Sequence, residues 1–173
     1  MPKNKTETSA IESYVAEVSR LAKTGKATEH TFRVALAALI DALAPGLKAV
    51  NELKRTDCGA PDYIVQDKTG LGVFYVEAKD LGDDDLDGKK RNGHKEQFDR
   101  YKAALDTIIF TDYLDFRLYR HGQFASSVRI VDWDGDGKVS GRPAAYADFA
   151  ALVADAAAGA PPRISTARNV SPS

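Results

Sequence analysis

Three charged residues border two short apolar runs in the middle of the chain. Asp62 precedes Tyr63-Ile64-Val65, and Glu77 and Lys79 follow Val73-Phe74-Tyr75-Val76. Charges set against a hydrophobic run are costly unless they are paired or hold something. If Gly72 to Lys79 is a strand, Tyr75, Glu77 and Lys79 share one face, and Phe74, Val76 and Ala78 share the other. Two residues of strand rise put Glu77 and Lys79 about 7 Å apart. A turn at Asp67-Lys68-Thr69-Gly70 folds the preceding strand back on this one. If the connection is Lys68 to Leu71, Asp67 pairs with Gly72. Asp62 then falls opposite Glu77, about 5 Å away between Cβ atoms. A one-residue slip would turn Asp62 to the other face.

Two adjacent carboxylates repel each other unless a positive charge lies between them. Oxygen ligands favour a hard cation such as Mg²⁺ or Mn²⁺. Such an ion polarises a phosphate oxygen and acidifies a bound water. A lysine on the same face could orient that water and offset developing negative charge. The plain alternative is a surface hairpin whose Asp, Glu and Lys pair in solvent.

The surrounding elements must hold these groups. Met1 to Ala10 is polar and reads as disordered. Ile11, Tyr14, Val15, Val18 and Leu21 have helical spacing, and Gly25 ends that helix. A second helix starts at Thr28 as N-cap, with Glu29 in its first turn, and stops at Pro45-Gly46. Strands are expected at Leu47–Leu53, Asp62–Gln66 and Gly72–Lys79. A polar loop, Asp80 to Asn92, reads as solvated and mobile, and if Glu77 and Lys79 belong to a catalytic site it borders that site. A helix over Gly93–Leu105 precedes strands at Thr107–Thr111, Phe116–Arg120 and Ser127–Val131. Ala144–Ala158 is an alanine-rich helix, and 159–173 reads as a linker-like tail. Residues 11–158 thus form one α/β domain with a mixed central sheet flanked by helices.

Composition narrows the class. The 173 residues carry a formal net charge of −1, whereas a stand-alone nucleic-acid binder usually has excess Lys and Arg. Nucleic acid would have to be held locally or by another domain. No apolar run is long enough for a membrane span, and no signal peptide is visible. A single cysteine, Cys58, fits a reducing cytoplasm and excludes a multi-cysteine zinc site.

Pro61-Asp62 followed by Glu77-x-Lys79 resembles the PD-(D/E)xK nuclease superfamily. Gln97 and Tyr101 in "EQFDRY" resemble its QxxxY element, four residues apart on one helical face. "TEHTFR", "GAPDYIV", "VEAKDLG" and "TDYLDFRLYRHGQ" occur in the order found in the N-terminal nuclease domain of single-chain restriction–modification enzymes. The likeness runs from Thr28 to Gln123. It implies a restriction-endonuclease-like core that hydrolyses phosphodiester bonds of double-stranded DNA with Mg²⁺, for which Mn²⁺ can substitute. It implies Asp62, Glu77 and the Ala78 carbonyl as metal ligands, with Glu29 as an additional acid. Lys79 would position the water, and Gln97 and Tyr101 would orient Lys79 or touch a phosphate. It also implies methyltransferase and target-recognition domains in a longer polypeptide, since this chain has no Gly-rich cofactor loop and no NPPY-like tetrapeptide.

Other candidates have blander readings. Glu29 could simply complement a helix dipole. His94 and Lys95 could contact phosphate, but the plainer reading is that they are solvated. "DWDGDGKV" imitates an EF-hand start, but its twelfth position is Pro143, and it reads as a tight β-turn. Nothing marks a histidine partner for Cys58. A catalytically silent DNA-binding or scaffold module on the same fold, or a repair nuclease outside restriction, are the alternatives to a restriction nuclease.

Overall fold

The computed structural model describes residues 2–25, 29–51, 60–91 and 93–158, and the side chains from residue 5 onward. Thr28, the last two residues of the Leu47–Leu53 strand, Cys58, Asn92 and the 159–173 tail lie outside the described residues. The elements are α1 (Pro2–Thr24), α2 (Glu29–Leu43), β1 (Lys48–Asn51), β2 (Tyr63–Gln66), β3 (Gly72–Ala78), α3 (Lys95–Ala104), β4 (Thr107–Thr111), β5 (Asp115–Arg120), β6 (Gln123–Arg129), β7 (Val131–Trp133), β8 (Val139–Gly141) and α4 (Tyr146–Ala158).

Strands β1 to β6 form one sheet in chain order. Only β3 and β4 pair in parallel, with α3 as the crossover between them. Strand alternation divides the apolar residues between two faces. Val65, Phe74, Val76, Ile109, Phe116 and Leu118 join α1, α2 and α4 in the larger core. Ile108, Phe110 and Tyr119 meet Phe98 and Tyr101 of α3 on the opposite side. Glu77 has the parity of Tyr75 and therefore faces α3. A charged pair at the end of β3 thus lies beside the smaller core without entering the larger one.

The helix expected from Ile11 begins at Pro2, which corrects the expected disorder over residues 2–10. Proline is compatible with a first helical turn. Ala10 packs on the core, and Glu7 and Thr8 line a groove toward α4. The β2–β3 hairpin differs from expectation at its turn. Gln66, not Asp67, pairs with Gly72, through a bulge between Val65 and Gln66. Asp67 is drawn into the turn instead, where its Oδ1 accepts Thr69 N, Thr69 Oγ1 and Leu71 N. The bulge absorbs this shift, so Tyr63 still faces Val76 and Asp62 lies opposite Glu77. The expected Ser127–Val131 strand ends at Arg129. Buried Ile130 turns a corner there, and β7 pairs with β8 in a separate hairpin. Its turn is closed by Asp134 Oδ1, which accepts Asp136 N and Lys138 N. This is the tight β-turn read from "DWDGDGKV".

The loop from Asp80 to Arg91 is anchored, which corrects its reading as a solvated, mobile segment. Leu86 is buried, and Asp87 binds Arg117 and Tyr119 of β5. At Gly88, φ is +65° and a Cβ would stand 2.6 Å from Phe98, so only glycine fits there. Asp85 accepts Lys89 N at 2.9 Å, His94 N at 3.0 Å and Lys90 N at 3.2 Å. Burial raises its carboxyl pKa, but these N–H groups outweigh burial and leave it lowered. Its contribution to stability is therefore present above the ordinary carboxylate range and lost as pH falls through the lowered folded value. Asp85→Ala is expected to cost the loop about 1–3 kcal/mol, because three part-buried N–H groups lose their charged acceptor. Faster amide exchange at Lys89, Lys90 and His94 checks this.

Candidate active site

Asp62, just before β2, and Glu77, near the end of β3, meet across the hairpin. Asp62 N donates to Glu77 Oε1 at 3.2 Å, and Ala78 N donates to Asp62 Oδ2 at 2.8 Å. These bonds fix the Asp62 carboxylate by one oxygen. Ala78 is extended, so its carbonyl points to the same strand edge as its N–H, the Asp62 side. Two carboxylates and one carbonyl thus converge on one edge of β3.

Lys79 completes the group. Its N–H donates to Thr111 O of β4 at 2.7 Å, which carries the sheet one residue beyond β3. Its ammonium lies 3.0 Å from Glu77 Oε2 and donates to Gln97 Oε1 at 2.6 Å. Gln97 Nε2 reaches Tyr101 OH at 3.4 Å. Lys79 Nζ also sits 5.6 Å from the centroid of the Phe98 ring. The i, i+4 spacing on α3 therefore aims Gln97 and Tyr101 along one line toward Lys79.

Glu77 is only 5% exposed. Burial pushes its carboxyl above the ordinary range, and the neighbouring Asp62 charge adds to this, against the pull of Lys79. Burial likewise raises Asp62, opposed by the Ala78 N–H and by Arg33. Both shifts express one fact: two carboxylates are held close in a poorly solvated place. Burial first, and then the charges of Glu77 and Asp62, push the Tyr101 hydroxyl up to about 12, so it stays protonated at neutral pH.

A cleft of about 330 Å³ opens over these groups, lined by Glu29, Arg33, Asp62, Glu77, Ala78, Lys79, Asp80, Asp83 and His94. All of the residues read as metal ligands from the sequence reach it. Gln97 and Tyr101 do not line it and act from behind Lys79. Glu29 stands on the same Arg33 Nη2 as Asp62, at 2.5 Å, so the arginine lies between the two carboxylates. The larger groove between α1 and α4, about 540 Å³, is lined by none of these residues.

The cleft adds Arg33, Asp80 and Asp83 to the residues that the sequence singles out, and it includes His94, which the sequence offers as a phosphate contact or a solvated residue. Arg33 pairs with Asp62 at 2.7 Å. His94, read as solvated, stacks on Phe98 with ring centroids 5.1 Å apart, and its Nε2 lies 2.7 Å from Asp83 Oδ2. The sequence signal for Arg33 is its place on the Glu29 face of α2, four residues on. For Asp83 the signal is only its place in the loop that borders the site, and the loop itself brings it to His94. Among the described residues, no three His, Cys, Asp or Glu side chains gather as a metal cage. The donors on offer are two carboxylates and one carbonyl, all oxygen, which fit a hard cation that keeps several waters.

No family profile matches the chain, and neither does any curated protein sequence. Among solved structures, a chain of the cryo-electron-microscopy structure of a DrdV–DNA complex is similar, with a TM-score of 0.65 and 20% identity. The alignment covers 94% of this chain and 15% of that one, so this chain corresponds to a small part of the other's length. The likeness extends over nearly the whole chain, and the fold is the restriction-endonuclease-like one: a mixed α/β core with a six-stranded sheet between helices.

Proposed function

We propose that this chain is a metal-dependent DNA endonuclease domain, the cleavage module of a longer restriction–modification enzyme. The observation that carries this reading is the convergence of Asp62, Glu77 and Lys79 at the end of β3, with Lys79 held from behind by Gln97. The fold supports it, as does the presence of DNA in the complex of the similar, much longer chain. A module of near-neutral charge would rely on neighbouring methyltransferase and target-recognition domains for much of its DNA affinity.

Asp62, Glu77 and the Ala78 carbonyl would hold Mg²⁺, or Mn²⁺ in its place. When bound, the ion supplies charge neutralisation at the phosphate and a more acidic water. Glu77 accepts from the Lys79 ammonium and sets its height over the cleft. Gln97 holds the same ammonium from α3, so Lys79 is constrained on two sides. From there its Nζ orients a water for in-line attack and offsets charge developing on the phosphate. The products of such hydrolysis are a 5′-phosphate and a 3′-hydroxyl. Tyr101, protonated at neutral pH, fixes the amide of Gln97 by its hydroxyl.

A second reading, a silent DNA-binding module on the same fold, draws on one observation. Both carboxylates already have cationic partners, Arg33 for Asp62 and Lys79 for Glu77. Calorimetric titration of Mn²⁺ separates the two. The nuclease reading expects binding by the wild type that Asp62→Ala abolishes. Equal heats from the two proteins would leave the silent module standing.

A further inference from the structure

One cation of the cleft has no part in the chemistry above. Arg33 Nη2 lies 2.5 Å from Glu29 Oε1 and 2.7 Å from Asp62 Oδ1. Asp62 is fixed through Oδ2 by the Ala78 N–H. Arg33 therefore sits on the oxygen that a cation would need. Both of its ion pairs fall on a single nitrogen, and its Nε is buried without a hydrogen-bond partner. A guanidinium carries five N–H donors in a planar fork suited to two oxygens of a phosphate. In Arg33 the Nε of that fork has no hydrogen-bond partner, and Nη2 carries both ion pairs. Its backbone is nevertheless firmly placed, since Arg33 O accepts Tyr63 OH at 2.5 Å. The guanidinium can turn while its helical turn stays docked on β2.

We infer that Arg33 is a latch on the cleft. It balances Asp62 and Glu29 while no divalent cation is bound, and it turns its fork to a DNA phosphodiester when a cation takes Asp62. The inference rests on the nuclease reading of the cleft. Two positive charges cannot share Asp62 Oδ1 without repulsion, so the latch must lower cation affinity while it is closed. Glu29, four residues away on the same helix, keeps the released arginine at the rim, where DNA would arrive. Glu29 is thereby a partner of Arg33 and not itself a ligand of the ion.

The test uses Mn²⁺ alone, by calorimetry, on the wild type, Arg33→Met, Arg33→Lys and Asp62→Asn. Arg33→Met is expected to bind Mn²⁺ about tenfold tighter, on the order of what removing one partly solvated neighbouring charge allows. Arg33→Lys keeps the charge and should stay near the wild type, which shows that the gain does not come from misfolding. A second arm measures binding of a short DNA duplex in chelator. Asp62→Asn frees Arg33 and should tighten DNA binding, and the double variant Asp62→Asn/Arg33→Met should lose that gain. If Mn²⁺ binding depends on Asp62 but is no tighter in Arg33→Met, the latch is wrong and the metal site stands. A DNA gain that survives in the double variant also overturns the latch. If neither the wild type nor Arg33→Met binds Mn²⁺ in an Asp62-dependent way, the nuclease reading fails and takes the latch with it.

Discussion

Lys79→Ala is expected to lower DNA cleavage by about 10²–10⁴-fold, the range for losing a positioned group that acts on the attacking water. The structure gives two reasons for an effect of that size. Lys79 is the cation held jointly by Glu77 and by Gln97 of α3, so its ammonium is confined and not merely nearby. It also stands over the Phe98 ring, which excludes water from one side. Glu77, 5% exposed, would be left without its ion partner, and a buried unpaired carboxylate destabilises the fold. Thermal melting of Lys79→Ala beside Lys79→Ala/Glu77→Gln separates the two effects. The double variant should recover stability and remain inactive. Gln97→Ala should cost less than Lys79→Ala, because Glu77 still holds the ammonium.

Phe98→Ala is expected to cost about 3–5 kcal/mol of stability, the range for removing a fully buried aromatic ring. Phe98 is 0% exposed and stacks on Phe110 with centroids 3.8 Å apart. It also supports His94 on one side, and the backbone at Gly88 packs against it. It therefore joins α3, the 80–92 loop and the floor of the cleft. The other members of the smaller core, Tyr101, Ile108, Phe110 and Tyr119, are held on α3 and the sheet, so the cavity closes only in part. Denaturant unfolding should show a lower midpoint with an unchanged slope. The loop should lose amide protection together with α3, because both rest on the same ring.

The site was legible where its geometry is local. Strand alternation alone places Glu77 and Lys79 on one face and Phe74 and Val76 on the other, and the cores confirm that parity. The position of Asp62 opposite Glu77 came from counting along a hairpin. The structure keeps this pairing although the turn differs by one residue, because the bulge beyond Val65 absorbs the difference. The four-residue spacing of Gln97 and Tyr101 fixes their common face, and the crossover geometry between parallel β3 and β4 brings that face to Lys79. What could not be read depends on contacts distant in sequence. Arg33 meets Asp62 only because α2 docks on β2 through Tyr63. The 80–92 loop is polar in composition, yet Asp85 and Asp87 spend their oxygens on backbone N–H groups and on β5. Composition cannot separate such an anchored loop from a solvated one. The first helical turns of α1 were hidden for a related reason, since their polar residues border α4 and not the main core.

The most direct test of the central claim is nicking of supercoiled plasmid by the wild-type chain in Mg²⁺ or Mn²⁺, with and without chelator. The account predicts nicked product bearing 5′-phosphate ends, formed only with the metal and abolished by chelator. Intact plasmid at high protein concentration with either metal would contradict it, as would nicking that chelator leaves unchanged.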